Sequence, residues 1–265
     1  MLRVGIVGYG TAGKDVARAL MQNQIEQAKL VTILVRSAHP APDPSIVMTH
    51  EIDHFLSHNL DLVVEAAGHE AVHLYGEKIL MTGSKLMLSS VGALGDAALY
   101  KKLMAAACNH GGQIICPSAA IAGLDRLAAA QEDGLEFVEL VTRKPVKAWY
   151  GTYAEQVVDL ASLTEPVEIF SGNARESSQL FPESVNVSAA ISIAGVGFEK
   201  TSVRVFVDPT IDKNIHELTA SGKFGKMSLA VSNTPSPNNP KTGYVVAMSL
   251  CKAIRQLSSP LVYGL

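Results

Sequence analysis

The stretch Arg3-Val-Gly-Ile-Val-Gly-Tyr-Gly-Thr-Ala-Gly-Lys-Asp-Val-Ala-Arg-Ala-Leu20 decides the fold of the first half of the chain. Residues 4–7 form an apolar run of the length of a short buried strand. Gly8, Gly10 and Gly13 follow at the G-x-G-x-x-G spacing, and Val16, Ala17 and Leu20 then recur at helical spacing. Strand, glycine turn and helix in that order form a dinucleotide-binding βα unit. Gly8 permits the tight turn, Gly10 lets a pyrophosphate approach the backbone, and Gly13 lets helix and strand pack closely. Thr11 and Ala12 open the helix, whose unpaired N–H groups and positive dipole end suit the phosphates.

Working outward, residues 30–35 read as a second strand. In this fold its end meets the adenosine ribose, and an acidic residue about 20 positions beyond the glycines takes the 2′-hydroxyl of NAD. Val35-Arg36-Ser37 stands there instead. Arg36 can pair with a 2′-phosphate and Ser37 can add a hydrogen bond, so both NAD and NADP stay open. Residues 38–45, rich in Pro and Ala, read as a loop. Strands at 60–64, 85–88 and 113–116 alternate with helices through 72–80 and 96–108, the latter capped by Asp96. Small residues after the strands leave ligand space at the carboxyl edge of the sheet. The alternation predicts an α/β fold with a Rossmann-type doubly wound parallel sheet.

The pattern changes at Pro117. A helix to about Ala130, strands at 137–143, 167–170 and 203–207, and a helix at 186–194 follow. Residues 215–220 and 227–231 read as a hairpin turning at Ser221-Gly222-Lys223. This predicts a smaller α+β domain with a mixed sheet. Residues 234–240 read as a loop, and a C-terminal helix at 245–257 is expected to return to the first domain. The expected division is 1–116, with 241–265 returning to it, as the dinucleotide-binding domain, and 117–240 as the substrate-binding and dimerisation domain.

Composition sets the class. A chain that is 48% hydrophobic and 18% charged supports a sizeable core and excludes a disordered one. The net charge of −3 gives no reason to expect a nucleic acid partner. No uninterrupted apolar run reaches membrane-span length. Strand formation from the first residues leaves no room for a signal peptide, and Cys108, Cys116 and Cys251 show no C-x-x-C pairing. They read as buried thiols, and the cytoplasm is the expected location. No metal constellation is visible.

The second half carries a resemblance. Pro117-Ser-Ala-Ala-Ile-Ala-Gly-Leu-Asp125, Val141-Thr-Arg-Lys-Pro145, Phe170-Ser-Gly-Asn-Ala-Arg-Glu176, Phe181-Pro-Glu-Ser-Val-Asn-Val187, Asn214-Ile-His-Glu217 and Asn239-Pro-Lys-Thr242 stand in the order of similar segments in the L-aspartate dehydrogenases. With the glycine loop the resemblance covers nearly the whole chain. One departure is Ala119, where the family usually has Gly. The resemblance implies NAD(P)-dependent oxidation of L-aspartate to iminoaspartate, which water converts to oxaloacetate and ammonia. It also implies that the imine can feed quinolinate formation in pyridine nucleotide biosynthesis. It assigns His216 as the catalytic histidine, and Ala120 and Asn186 as cofactor contacts.

The chemistry asks for such groups. Hydride leaves Cα while the amine loses a proton, and a histidine with its ordinary pKa near working pH suits that transfer. His216 is expected to face the nicotinamide end of the cofactor. A dicarboxylate needs cations, for which Arg143, Lys144 and Lys241 are candidates. Ser118, a substrate-binding candidate, and Asn186 are small polar groups that can orient the nicotinamide amide. Two other readings stand beside this one: a different amino-acid or imine oxidoreductase, and a sensor that binds NADP without turnover. The apolar run 185–198 is long for a small domain to bury, which predicts a homodimer or larger homo-oligomer.

Overall fold

The computed structural model describes residues 1–37, 39–181, 185–236 and 239–264, the side chains of 239–242 aside. The chain divides into two compact units, Met1–Ala119 with Val246–Leu265, and Ala120–Val245.

In the first unit the apolar run becomes β1 (Leu2–Val7) and the glycine turn leads into α1 (Thr11–Met21). Then come β2 (Ala28–Leu34), β3 (Val47–Thr49), α2 (Ile52–Leu56), β4 (Leu62–Glu65), α3 (His69–Met81), β5 (Lys85–Leu88), α4 (Ala97–His110) and β6 (Gln113–Ile115). The strands lie in the order β3-β2-β1-β4-β5-β6, and every pairing is parallel. The order reverses at β1, so the carboxyl edge of β1 and β4 forms a crevice where ligands bind in such sheets. Asp96 caps α4, its side chain accepting from the N–H groups of Ala98 and Leu99. The short β3 and α2 were not expected. Three and five residues are too few for periodicity to register, although Phe55 of α2 is fully buried.

The second unit holds α5 (Leu124–Gln131), β7 (Leu135–Lys144), α6 (Ala154–Val157), β8 (Val167–Asn173), α7 (Ala174–Leu180) and α8 (Val185–Ala194). It continues with β9 (Ser202–Val207), β10 (Asn214–Gly222), β11 (Gly225–Asn233), β12 (Pro235–Ser236) and β13 (Asn239–Gly243). Its five-stranded sheet runs β11-β10-β7-β9-β8 and is mixed: β7 and β9 are parallel, the other pairs antiparallel. The last helix, α9 (Val245–Ser258), packs Leu250 and Ile254 into the first unit's core with Val4, Ile6, Val16 and Leu62. Full burial of each such side chain contributes roughly 1.5–3 kcal/mol. Among the described residues no helix is long and apolar enough to cross a membrane.

Four expectations need correction. The hairpin turns at Lys223-Phe224, because Ser221 and Gly222 still pair with Lys226 and Gly225. Residues 235–236 and 239–243 pair as β12 and β13 where a loop was expected; residues 237–238 of that stretch lie outside the described residues. Cys108 is exposed, not buried, while Cys116 and Cys251 are half-buried. Burial still pushes the Cys116 thiol up to about 12. Finally, the apolar run 185–198 is not surplus surface. Val185, Val187, Ser188, Ala189, Ala190, Ile191 and Ser192 are all buried in the monomer, as an all-round apolar helix must be.

Ala119 has φ +49°, a left-handed conformation, and its N–H donates to Ser249 Oγ on α9 at 2.9 Å. Glycine there avoids the roughly 1–2 kcal/mol that a Cβ costs in this region but loses about 0.4–1 kcal/mol to unfolded-chain entropy. Ala119→Gly is therefore expected to raise the melting temperature by about 1–4 °C. An unchanged or lower midpoint in a thermal melt would reject this account of the strain.

Candidate active site

In the first unit the glycines shape a cleft. Gly8 has φ +94°, and a Cβ there would stand 2.7 Å from the Ala66 carbonyl oxygen. A Cβ on Gly13 would collide with the Gly8 carbonyl, so α1 docks closely on the turn. At Gly10 nothing lies within 4 Å of the Cβ direction. That open approach, at the N-cap of α1, is where a pyrophosphate fits. Thr11 and Ala12 are the first two residues of that helix. The cleft, of about 480 Å³, is lined by residues that include Gly8, Tyr9, Gly10, Lys14, Arg36, Ser37, His39, Ala66, Ala67, Glu70, Leu74 and Tyr75. Arg36 lies just beyond β2 with its side chain 95% exposed, 3.9 Å from Glu70.

Glu65 holds one wall of this cleft. It ends β4 with 1% exposure, and its carboxylate accepts from the N–H groups of Ala67, Gly68 and Ser90 and from Ser90 Oγ at 2.7–3.0 Å. The loops after β4 and β5 are thereby tied to one side chain, and Ala66 and Ala67 are fixed against the glycine turn. Sequence reading passed over Glu65. Its signal was an acid closing a continuous apolar strand before Ala-Ala-Gly, but only burial reveals the role.

In the second unit the mixed sheet positions His216. His216 on β10 lies opposite Thr142 on β7, in a register that also joins Leu218 to Leu140. Pleating puts His216, Leu218 and Ala220 on one face with Val138, Leu140 and Thr142, and all six are buried. His216 is 4% exposed, and its Nδ1 lies 3.0 Å from Thr142 Oγ1. This contact orients the ring. Burial, with the Lys144 cation second, lowers the His216 pKa from its ordinary 6.5 to about 3. The expectation of an ordinary pKa is thus corrected: the free protein holds a neutral imidazole at working pH.

Lys144 follows Thr142 by two residues and so shares the His216 face. Its ammonium stands 5.1 Å from the Trp149 ring centroid. Arg143 points to the opposite face. Its Nε donates to Glu217 at 3.1 Å and its guanidinium stacks 4.3 Å from the Phe206 centroid. The Ala120 carbonyl accepts from Asn233 Nδ2 at 2.8 Å. Asn233 faces Asn214, two residues before His216, so Ala120 is anchored at the same end of the hairpin. Asn186 is the second residue of α8 and half-buried. Ser118 is exposed and belongs to the first unit. Lys241 lies on β13, but its side chain is outside what is described. The segment 181–187 includes three residues, 182–184, outside the described set. Among the described residues no group of three or more His, Cys, Asp or Glu is placed to hold a metal.

Comparison with known proteins agrees with both halves. The family model described as aspartate dehydrogenase, C-terminal, matches residues 125–257, and that described as homoserine dehydrogenase, NAD binding domain, matches residues 8–117. An L-aspartate dehydrogenase of Methanocella arvoryzae is 39% identical over 100% of both chains. One from Serratia proteamaculans is 37% identical over 97% of each. The solved aspartate dehydrogenase of Thermotoga maritima superposes with a TM-score of 0.76 at 26% identity, covering 99% of each chain. A hyperthermophilic archaeal homoserine dehydrogenase in complex with NADPH shares the fold, with a TM-score of 0.63 at 11% identity over 99% of each chain.

Proposed function

The chain belongs to the L-aspartate dehydrogenase family, and from that premise we propose that it oxidises L-aspartate with NAD or NADP. The carrying observation is the match over residues 125–257, which contains His216, Lys144 and the strands that bring them to one face. When bound, the nicotinamide cofactor accepts the hydride that leaves Cα. The glycine turn, Thr11 and Ala12 hold its pyrophosphate. The Cα–H bond breaks, a C=N bond forms, and the amine N–H proton passes to His216, which is neutral in the free protein and becomes a stronger base when a substrate carboxylate offsets the Lys144 cation. Thr142 fixes the ring through Nδ1. Lys144 pairs with a substrate carboxylate, while Arg143, turned to the other face and already paired with Glu217, keeps the sheet in place. Water adds to iminoaspartate, and ammonia leaves to give oxaloacetate. The imine also feeds quinolinate formation in pyridine nucleotide biosynthesis. Ala120, Asn186 and Ser118 serve the bound cofactor and substrate as small groups that permit close approach.

The test is reduced nicotinamide formed from NAD or NADP with a panel of amino acids that includes L-aspartate, followed in both directions. Activity on another amino acid alone would replace the substrate and keep the enzyme class. Binding of NADP without turnover of any substrate would make the chain a sensor.

The same reading includes a homodimer or larger homo-oligomer in the cytoplasm. The surface that supports the oligomer is the sheet, not α8. The face opposite His216 carries Phe137, exposed, and Glu139, Val141, Ile215 and Thr219, half-buried, a mixed surface of the kind that a twin covers. Light scattering at micromolar concentration should give at least twice 28.1 kDa; a monomer would reject this assembly.

A further inference from the structure

We propose that Glu70 sets the balance between NAD and NADP by competing with the 2′-phosphate for Arg36. This rests on reading the first unit's cleft as the cofactor site. Arg36 stands just past β2, where this fold meets the adenosine ribose. Glu70 reaches the same place from the first turn of α3, and its Oε2 lies 3.9 Å from the Arg36 guanidinium. Both side chains line the cleft, along with Gly8, Gly10 and Lys14. Lys14, Arg36 and His39 supply its basic groups, and Glu70 is the one carboxylate among its described lining residues.

The pair is not a structural staple. The two side chains are 95% and 79% exposed, and an ion pair so solvated contributes little to folding. Its position gives it a different consequence. A 2′-phosphate carries a charge of about −2 and engages Arg36 through charge-assisted, often bidentate, hydrogen bonds. Binding it takes Arg36 from Glu70 and leaves that carboxylate beside a second anion. A 2′-hydroxyl makes no such demand. Arg36 keeps its partner, and the carboxylate is available as an acceptor, the part an acid at the end of β2 plays in NAD-specific relatives of this fold. Glu70 therefore weakens NADP more than NAD, and a chain with a basic residue at the end of β2 still admits both.

Fluorescence titration of the full chain with NADPH and with NADH tests this for the wild type, Glu70→Gln and Glu77→Gln. Glu77 is the control: it lies two turns further along α3, is paired to Lys102 at 2.6 Å and lies outside the cleft lining. Glu70→Gln should tighten NADPH roughly three- to tenfold, the worth of an exposed pair plus a like-charge contact. NADH should change by less than about twofold. The gain should shrink as salt rises, because both interactions are exposed. Glu77→Gln should leave the NADPH-to-NADH ratio of Kd values unchanged. Wild-type binding with an unaltered ratio in Glu70→Gln overturns the proposal alone. An equal shift in Glu77→Gln overturns it too, by making bulk charge the cause. A wild-type chain that binds neither cofactor overturns the reading of the cleft, and the proposal with it.

Discussion

Replacing His216 by alanine is expected to cut turnover by about 10²–10⁴-fold, the usual worth of a positioned acid–base group. Cofactor titration should stay near wild type, because the glycine turn and Arg36 belong to other elements. The alanine variant also leaves a space and an unpartnered hydroxyl on Thr142, since His216 is 4% exposed. His216→Asn fills more of that space, keeps a hydrogen bond and still cannot exchange a proton at neutral pH; it should recover stability but little turnover. Near-wild-type turnover in either variant would remove His216 from the chemistry. Lost cofactor binding would make its role structural.

The pH dependence follows from the same burial. The folded pKa of about 3 lies below the ordinary 6.5, so the folded state resists protonation of this ring. Its stability is full above about pH 6.5 and falls as pH drops from there toward 3. His216→Asn should lose less stability over that window. In catalysis, a substrate carboxylate beside Lys144 offsets the cation that helps lower the pKa. The acid limb of kcat, which reports the complex, should therefore lie at higher pH than that of kcat/KM, which reports the free enzyme. Coincident limbs would deny a coupling between substrate charge and His216.

Arg36→Asp is expected to weaken NADP by roughly 10- to 150-fold, since a charge-assisted hydrogen bond is worth about 1.5–3 kcal/mol. NAD should tighten, because the new carboxylate can accept from a 2′-hydroxyl and repels a 2′-phosphate. Little in the fold opposes the change. The Arg36 side chain is 95% exposed, and its recorded partner is Glu70 at 3.9 Å. The substitution therefore reads out recognition without a stability penalty. The check is the pair of Kd values from titration with NADPH and NADH. An unchanged ratio would leave Arg36 a surface charge.

The sequence by itself determined what local rules control. The apolar run, three glycines and helical spacing between Arg3 and Leu20 are contiguous, so they specify strand, turn and helix without help from distant residues. Alternation of strand and helix then specifies a parallel sheet, and the ordered segments after Pro117 specify the family. His216 stood out from the other histidines only through the resemblance that its segment, Asn214–Glu217, carries. The tertiary structure decided the properties that arise between residues far apart in the chain. Thr142 became the partner of His216 through strand register across 74 positions, and Lys144 rather than Arg143 joined them because pleating alternates side chains. The imidazole pKa fell because a whole sheet face is buried around it, and no ring carries that in its own identity. Glu65 and Glu70 look alike as letters. One ends a central strand and is buried under four hydrogen bonds, the other begins a surface helix and meets Arg36, and only packing makes that difference.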